Sequence, residues 1–250
     1  MKRIVLKLTG EVFSRRDVRL ESMEKADTNQ IFVSRALSFL AEEISSIQKN
    51  AELALVLGGG NIARGRALVE RLGMRPRSAD YIGMAATLIN GLCLQDFLEQ
   101  RGIETRLMSA IEVKTLAEPH IIRRAERHLR KGRVVIFVGG TGNPGFSTDM
   151  AAVLRASDLN AEKVLKGTKV RGIFEKDPQD YPDAPFIPLI THRQFLERGL
   201  SVIVDRPAVA KAEEISMPIV VFDIFQRGNL SKVFEGKMDE SGKQIGSLIF

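Results

Sequence analysis

Near the N-terminus a lysine sits inside an apolar run, Ile4-Val5-Leu6-Lys7-Leu8-Thr9-Gly10. Burying an ammonium group without a partner is costly, so its head must reach water at the end of the run or meet an anion. A second stretch, Gly58-Gly59-Gly60-Asn61-Ile62-Ala63-Arg64-Gly65-Arg66, sets three glycines ahead of two arginines. Glycine lets backbone N–H groups approach a phosphate, a following helix N-terminus favours negative charge, and arginine offers forked donors. The spacing is neither that of a P-loop nor that of GxGxxG. A third stretch, Gly139-Gly140-Thr141-Gly142-Asn143-Pro144-Gly145-Phe146-Ser147-Thr148-Asp149, clusters glycines, hydroxyls and an amide. Thr148 could cap a helix or bind a phosphate oxygen. Asp149 suits a helix start, and could equally orient lysines or help hold magnesium. In the stretch from Lys166 to Pro178, Phe174 could stack on a base, Thr168 could bind it, and Asp177 could accept from a ribose hydroxyl. The plain alternative there is a basic β-hairpin with solvated lysines.

Such turns act together only if the chain brings them to one place. The hydrophobic pattern alternates short apolar runs with longer helical segments. Strands are expected at Arg3–Leu8, Leu53–Leu57, Ile103–Met108, Arg133–Val138, Lys163–Leu165, Val170–Phe174, Pro218–Phe222 and Ile245–Ile249. Between them, Asp27 with Gln30 resembles a capping box opening a helix to about Lys49. Helices are also expected after Gly58, over Ser78–Gln100, over Glu118–Lys131 with Pro119 in its first turn, and over Thr148–Leu159. Thr191 with Gln194 repeats the capping-box pattern. Asp177–Pro188 is a Pro/Asp-rich loop. Strands alternating with helices imply βαβ units and a mostly parallel sheet covered on both faces. The three glycine-rich turns all follow strands, and open α/β sheets bind ligands beyond the carboxyl ends of their strands.

Length and composition fit that picture. The chain has 250 residues, 44% hydrophobic and 27% charged, enough for one large domain or two small lobes. That excludes a disordered or collagen-like chain. No apolar run approaches the roughly 20 residues of a membrane helix. Lys7 interrupts the N-terminal apolar stretch, which is too short for a signal sequence. Cys93 is the single cysteine, so no intrachain disulfide forms, and a cytoplasmic location is expected. The net charge of +6 favours anionic partners. His120, His128 and His192 lack metal-ligand spacing and read as surface or capping residues. The basic run from Arg123 to Arg133 could touch nucleic acid, but reads more simply as a solvated helix face with cations at its C-terminus.

Taken in order, these pieces resemble the bacterial uridylate (UMP) kinases of the amino-acid kinase superfamily. The matching segments are KLTG at Lys7, GGGNIARG at Gly58, ADYIGMAATLIN at Ala79, MSAIEV at Met108, RVVIFVGGTGNPGFSTDMAAVLRA at Arg133, LKGTKVRGIFEKDP at Leu165 and VVFDIFQRGNL at Val220. Gly145 stands where the family has an aromatic residue, Arg171 where it has aspartate, and Phe174 where it has tyrosine.

The resemblance implies a three-layer α/β/α sandwich with a mainly parallel central sheet. It implies phosphorylation of UMP by ATP in pyrimidine nucleotide synthesis, with residues 1–160 as a UMP-binding lobe and 161–250 as an ATP-binding lobe. Lys7, Leu8, Thr9, Gly10, Gly60 and Arg64 then resemble the ATP-phosphate site, and Thr168, Phe174 and Asp177 the adenosine site. Gly59, Asp80 and the loop of Thr141, Gly142, Asn143, Pro144, Gly145, Phe146, Ser147 and Thr148 resemble the UMP site. Asp149 matches the acid that organises catalytic lysines. Mg2+ with ATP and a homohexamer are also implied, with no membrane and nucleic acid an improbable partner. Two other readings stay open: a non-catalytic nucleotide- or oxyanion-binding protein on the same fold, and a nucleic-acid-binding regulator.

Overall fold

The computed structural model describes residues 1–14, 31–178, 180–201, 203–239, 242 and 244–250. Its first half runs β1 (Lys2–Leu8), α1 (Ser34–Gln48), β2 (Ala51–Leu57), α2 (Gly65–Leu72), α3 (Pro76–Glu99), β3 (Thr105–Ser109), β4 (Glu118–Pro119), α4 (Ile122–Arg130), β5 (Val134–Val138) and α5 (Thr148–Asp158). The second half runs β6 (Lys163–Thr168), β7 (Ile173–Phe174), β8 (Phe186–Ile187), β9 (Leu189–Ile190), α6 (His192–Glu197), α7 (Arg206–Glu214), β10 (Ile219–Asp223), α8 (Asn229–Glu235) and β11 (Ser247–Ile249).

Among the described residues nine strands form one sheet in the order β4-β3-β5-β2-β1-β6-β10-β11-β9, and β7 pairs with β8 separately. Neighbours run parallel except at the antiparallel β10–β11 step. Successive strand side chains point to opposite faces, so each buried strand feeds two cores. Ile4, Leu6 and Leu8 meet one layer, with Leu37 of α1, Leu94 of α3 and Leu230 of α8. Val5 and Val164 meet the other, with Leu129 of α4, Val153 of α5 and Val209 of α7. The result is the expected three-layer sandwich, with β1 at its centre. Lys7 shares the face of Val5, towards α5 and α7.

Some expected elements differ. Glu118 and Pro119 do not open a helix: Glu118 pairs with Met108 at the sheet edge, and α4 starts at Ile122. A proline lacking its N–H suits a helix first turn and an edge strand alike, and the pairing decides between them. The expected strand from Val170 shrinks to Ile173–Phe174, because the Thr168 hydroxyl closes a turn by accepting from the Val170 N–H at 3.1 Å. The capping box of Asp27 and Gln30 lies outside the described residues. The second one is present: Thr191 Oγ1 accepts from the Gln194 N–H at 3.1 Å, and Gln194 Oε1 from the Thr191 N–H at 3.2 Å.

His128 and His192 are not surface residues but buried ones, and the His192 ring meets the Met217 carbonyl at 2.9 Å. The basic run forms α4, whose Arg124 pairs with Glu118 at 3.3 Å, while Arg133 beyond the helix pairs with Glu104 at 2.7 Å. Among the described residues one helix, α3, is long and apolar enough to cross a membrane by length and composition. Reading unbroken apolar runs does not reveal it. Its Leu94 and Leu98 are fully buried, as in a core helix.

Candidate active site

Parallel pairing of β1 with β6 sets Lys7 directly beside Lys166. Both side chains leave the sheet on the same face and are almost wholly buried. Asp149, in the first turn of α5, receives them. Lys7 Nζ lies 2.9 Å from Asp149 Oδ1, and Lys166 Nζ hydrogen-bonds Oδ2. Lys166 also donates to the Ile203 carbonyl, and the Asp205 N–H donates to Asp149 Oδ2 at 3.3 Å. The ammonium of Lys7 therefore meets an anion rather than water.

The electrostatics follow from that geometry. Burial alone would push the Asp149 carboxyl up, but Lys166 and Lys7 outweigh it and hold the group well below the usual carboxylate range. Burial depresses Lys166, and the neighbouring Lys7 adds to this. Asp149 opposes both, and the Lys166 pKa comes to about 8. One carboxylate is shared between two cations. Burial, and then the charge of Asp149, push the nearby Asp205 carboxyl up.

The glycine-rich turns gather around this centre. A Cβ on Gly10 would collide with the Gly60 backbone N, so the first two turns touch backbone to backbone. Helix α3 holds the second and third. Asn90 Nδ2 donates to the Gly58 carbonyl at 2.7 Å, the Gly139 N–H donates to Thr87 Oγ1 at 2.7 Å, and the Gly145 N–H donates to Asp80 Oδ2 at 2.7 Å. Gly145 has φ of +85°, a left-handed conformation that glycine adopts without strain. Gly59, Asp80, Met84, Phe146, Ser147 and Thr148 are among the residues lining a cavity of about 170 Å³. A larger cavity, about 440 Å³, lies behind the third turn against Thr141, His120 and Arg155, and neither lysine lines it.

The amino acid kinase family model matches residues 2–223 of this chain. The chain belongs to the amino acid kinase family. A curated relative named uridylate kinase, from Rubrobacter xylanophilus, is 42% identical over 251 residues, covering 100% of this chain and 92% of that protein. Another of the same name, from a Sulfurovum species, is 43% identical over 238 residues, covering 95% and 96%. The crystal structure of UMP kinase from Bacillus anthracis superposes with a TM-score of 0.86 at 32% identity, covering 99% of this chain and 95% of that one.

Within this amino acid kinase, some of the residues singled out from the sequence gather in one place and others do not. Lys7, Leu8, Thr9, Gly10, Gly59, Gly60, Asp80 and the 141–149 loop come to one rim of the sheet. Ser147, not Thr148, caps α5: its Oγ accepts from the Asp149 and Met150 N–H groups, each at 3.1 Å. Within the third turn, Thr141 Oγ1 accepts from the Asn143 N–H at 3.1 Å. Arg64 is exposed and pairs with Glu11, which also meets Lys169 at 3.4 Å. Thr168 is buried with its hydroxyl on the backbone. Phe174 packs edge-on against Phe186, ring centroids 5.4 Å apart, and Arg171 stacks over Phe186 at 4.4 Å. Asp177 holds the following turn through its backbone carbonyl, which accepts from the Tyr181 N–H at 2.8 Å.

Sequence reasoning missed Lys166 as a member of the site, and with it Asp205, Thr87 and Asn90. The available signal for Lys166 was the one that marked Lys7: a lysine closing an apolar run, here Val164-Leu165-Lys166.

Proposed function

We propose that this protein transfers the γ-phosphoryl group of ATP to UMP, giving UDP and ADP. The observation that carries this reading is the convergence of Lys7 and Lys166 on Asp149, immediately beyond the Ser147–Thr148 wall of the 170 Å³ cavity. The relatives named uridylate kinase and the UMP kinase fold support the choice of substrate.

The chemistry asks for positioning and charge neutralisation rather than a base. A phosphate monoester has its second pKa at about 6 and is already an anion at neutral pH. Its oxygen attacks the γ-phosphorus, the bond from that phosphorus to the bridging oxygen breaks, and ADP leaves with the electron pair. No proton has to move. Negative charge spread over the transferring group is met by the two buried ammonium groups. Asp149 keeps them adjacent against their mutual repulsion. In this reading Lys7 to Gly10, Gly60 and Arg64 take the phosphates of ATP. Thr168, Phe174 and Asp177 take its adenosine, while Gly59, Asp80 and residues 141–148 take UMP. Residues 1–160 then form the acceptor lobe and 161–250 the donor lobe.

Among the described residues no group of three His, Cys, Asp or Glu side chains could hold a metal ion. Asp149 is already taken by two ammonium groups and a backbone N–H. These residues do not fit a resident magnesium site. Magnesium is proposed only as a companion of the ATP phosphates. A homohexamer and a cytoplasmic location are further proposals that rest on the family resemblance; the mass of the assembly by light scattering tests the first.

The deciding experiment offers the purified protein ATP and magnesium with UMP, CMP, AMP or GMP, or with an amino acid, carbamate or isopentenyl phosphate. UDP should form fastest. A clear preference for any other acceptor overturns the reading.

A further inference from the structure

The segment just ahead of α7 belongs to no glycine-rich turn, yet it closes around the lysine–aspartate centre. The Ile203 carbonyl accepts from Lys166 Nζ, and the Asp205 N–H donates to Asp149 Oδ2 at 3.3 Å. The Asp205 carboxylate accepts from the Ala208 N–H at 3.1 Å, which caps α7. The Ser147 oxygen accepts from the Asp149 and Met150 N–H groups. The backbone N–H of Asp205 thus ties the start of α7 to Asp149 in the first turn of α5.

We propose that Asp205 is a positioning residue for phosphoryl transfer, fixing the Asp149 carboxylate and through it the aim of Lys166 and Lys7. The proposal rests on the kinase reading above. Capping α7 through Ala208 fixes the backbone at Asp205, and with it the N–H that holds Asp149 Oδ2.

Charge supplies a second handle. Lys166 of β6 is faced by Lys7 from β1, Asp149 from α5 and Asp205 from the start of α7. Removing the Asp205 charge leaves two ammonium groups with a single carboxylate. Lys166 then loses its proton at a lower pH.

The test compares wild type, Asp205→Ala and Asp205→Asn in kcat, in KM for ATP and UMP across pH, and in Tm. Asparagine is a good helix cap, so Asp205→Asn keeps α7 closed while removing the charge. Asp205→Ala should lose about tenfold or more in kcat with each KM within about threefold, as misplacement of a transfer centre does. Asp205→Asn should lose less kcat and shift the alkaline limb of its kcat profile to lower pH. If the alanine protein does not fold, the asparagine profile decides alone. An effect confined to Tm or KM, with wild-type kcat and an unmoved alkaline limb, overturns the proposal. Wild-type protein that makes no UDP overturns the kinase reading and this proposal together. Active wild type with unaffected variants overturns this proposal alone.

Discussion

Lys7 and Lys166 are partners across adjacent parallel strands, and their ammonium groups take opposite oxygens of one carboxylate, Asp149. Neither strand alone would tolerate a buried ammonium; paired through Asp149, both do. This places two cations side by side at the sheet rim, next to the glycine-rich turns. If both act on the transferring phosphoryl group, Lys166→Ala should cost on the order of 10²-fold or more in kcat with little change in either KM, as should Lys7→Ala. The double variant should lose far less than the product of the two, since the pair acts as a unit. Steady-state kinetics on the three proteins checks this; a loss carried by KM alone contradicts it.

Asp149 also bears on stability. Replacing it by alanine leaves two buried ammonium groups unpaired, a cost of about 3–5 kcal/mol in urea unfolding. Its pH dependence has a definite sign. The folded carboxyl lies below its unfolded value of about 4. Its stabilisation is therefore complete above that value and is lost as the pH falls through the folded one. Acidification from pH 6 should narrow the gap between wild type and Asp149→Ala. A gap that stays constant down to the acid transition contradicts the assignment.

Activity should also fall on the alkaline side. Lys166, depressed by burial to about 8, delivers its charge only while protonated. The kcat profile should bend downward near pH 8, and Lys166→Arg, whose guanidinium stays charged, should remove the bend in whatever activity it retains. A wild-type profile flat to pH 10 contradicts this.

Gly59 is set by close approach rather than by a left-handed φ. A Cβ there would lie 2.8 Å from both Ala86 Cβ and the Gly83 carbonyl oxygen. Gly59→Ala must push the second turn away from α3 and into the cavity. Expected are a stability loss of about 1–3 kcal/mol and a rise in KM for UMP of about tenfold, with KM for ATP less affected. Unchanged UMP affinity contradicts the placement of the acceptor.

The parts of this architecture legible in the sequence were those with local causes. Lys7 stood out because a charge interrupts an apolar run. The glycine turns stood out by composition, and Thr191–Gln194 by its capping spacing. Lys166 carries the same mark as Lys7, but its run abuts a basic stretch that reads equally well as a solvated hairpin. Only the strand register, a non-local property, places the two together. Asp205 was missed because nothing nearby in sequence connects it to Asp149. Ser147 and Thr148 are both competent caps, and the backbone conformation decides between them. Pro119 was misread because a helix first turn and an edge strand ask the same thing of it.

The most direct measurement follows labelled γ-phosphate from ATP in a single turnover with UMP, in wild type and in Lys7→Ala. The label should appear in the β position of UDP, and the lysine variant should slow its transfer on the order of 10²-fold or more. No label in UDP, or undiminished transfer by the variant, would contradict a phosphoryl-transfer centre built on the Lys7–Asp149–Lys166 bridge.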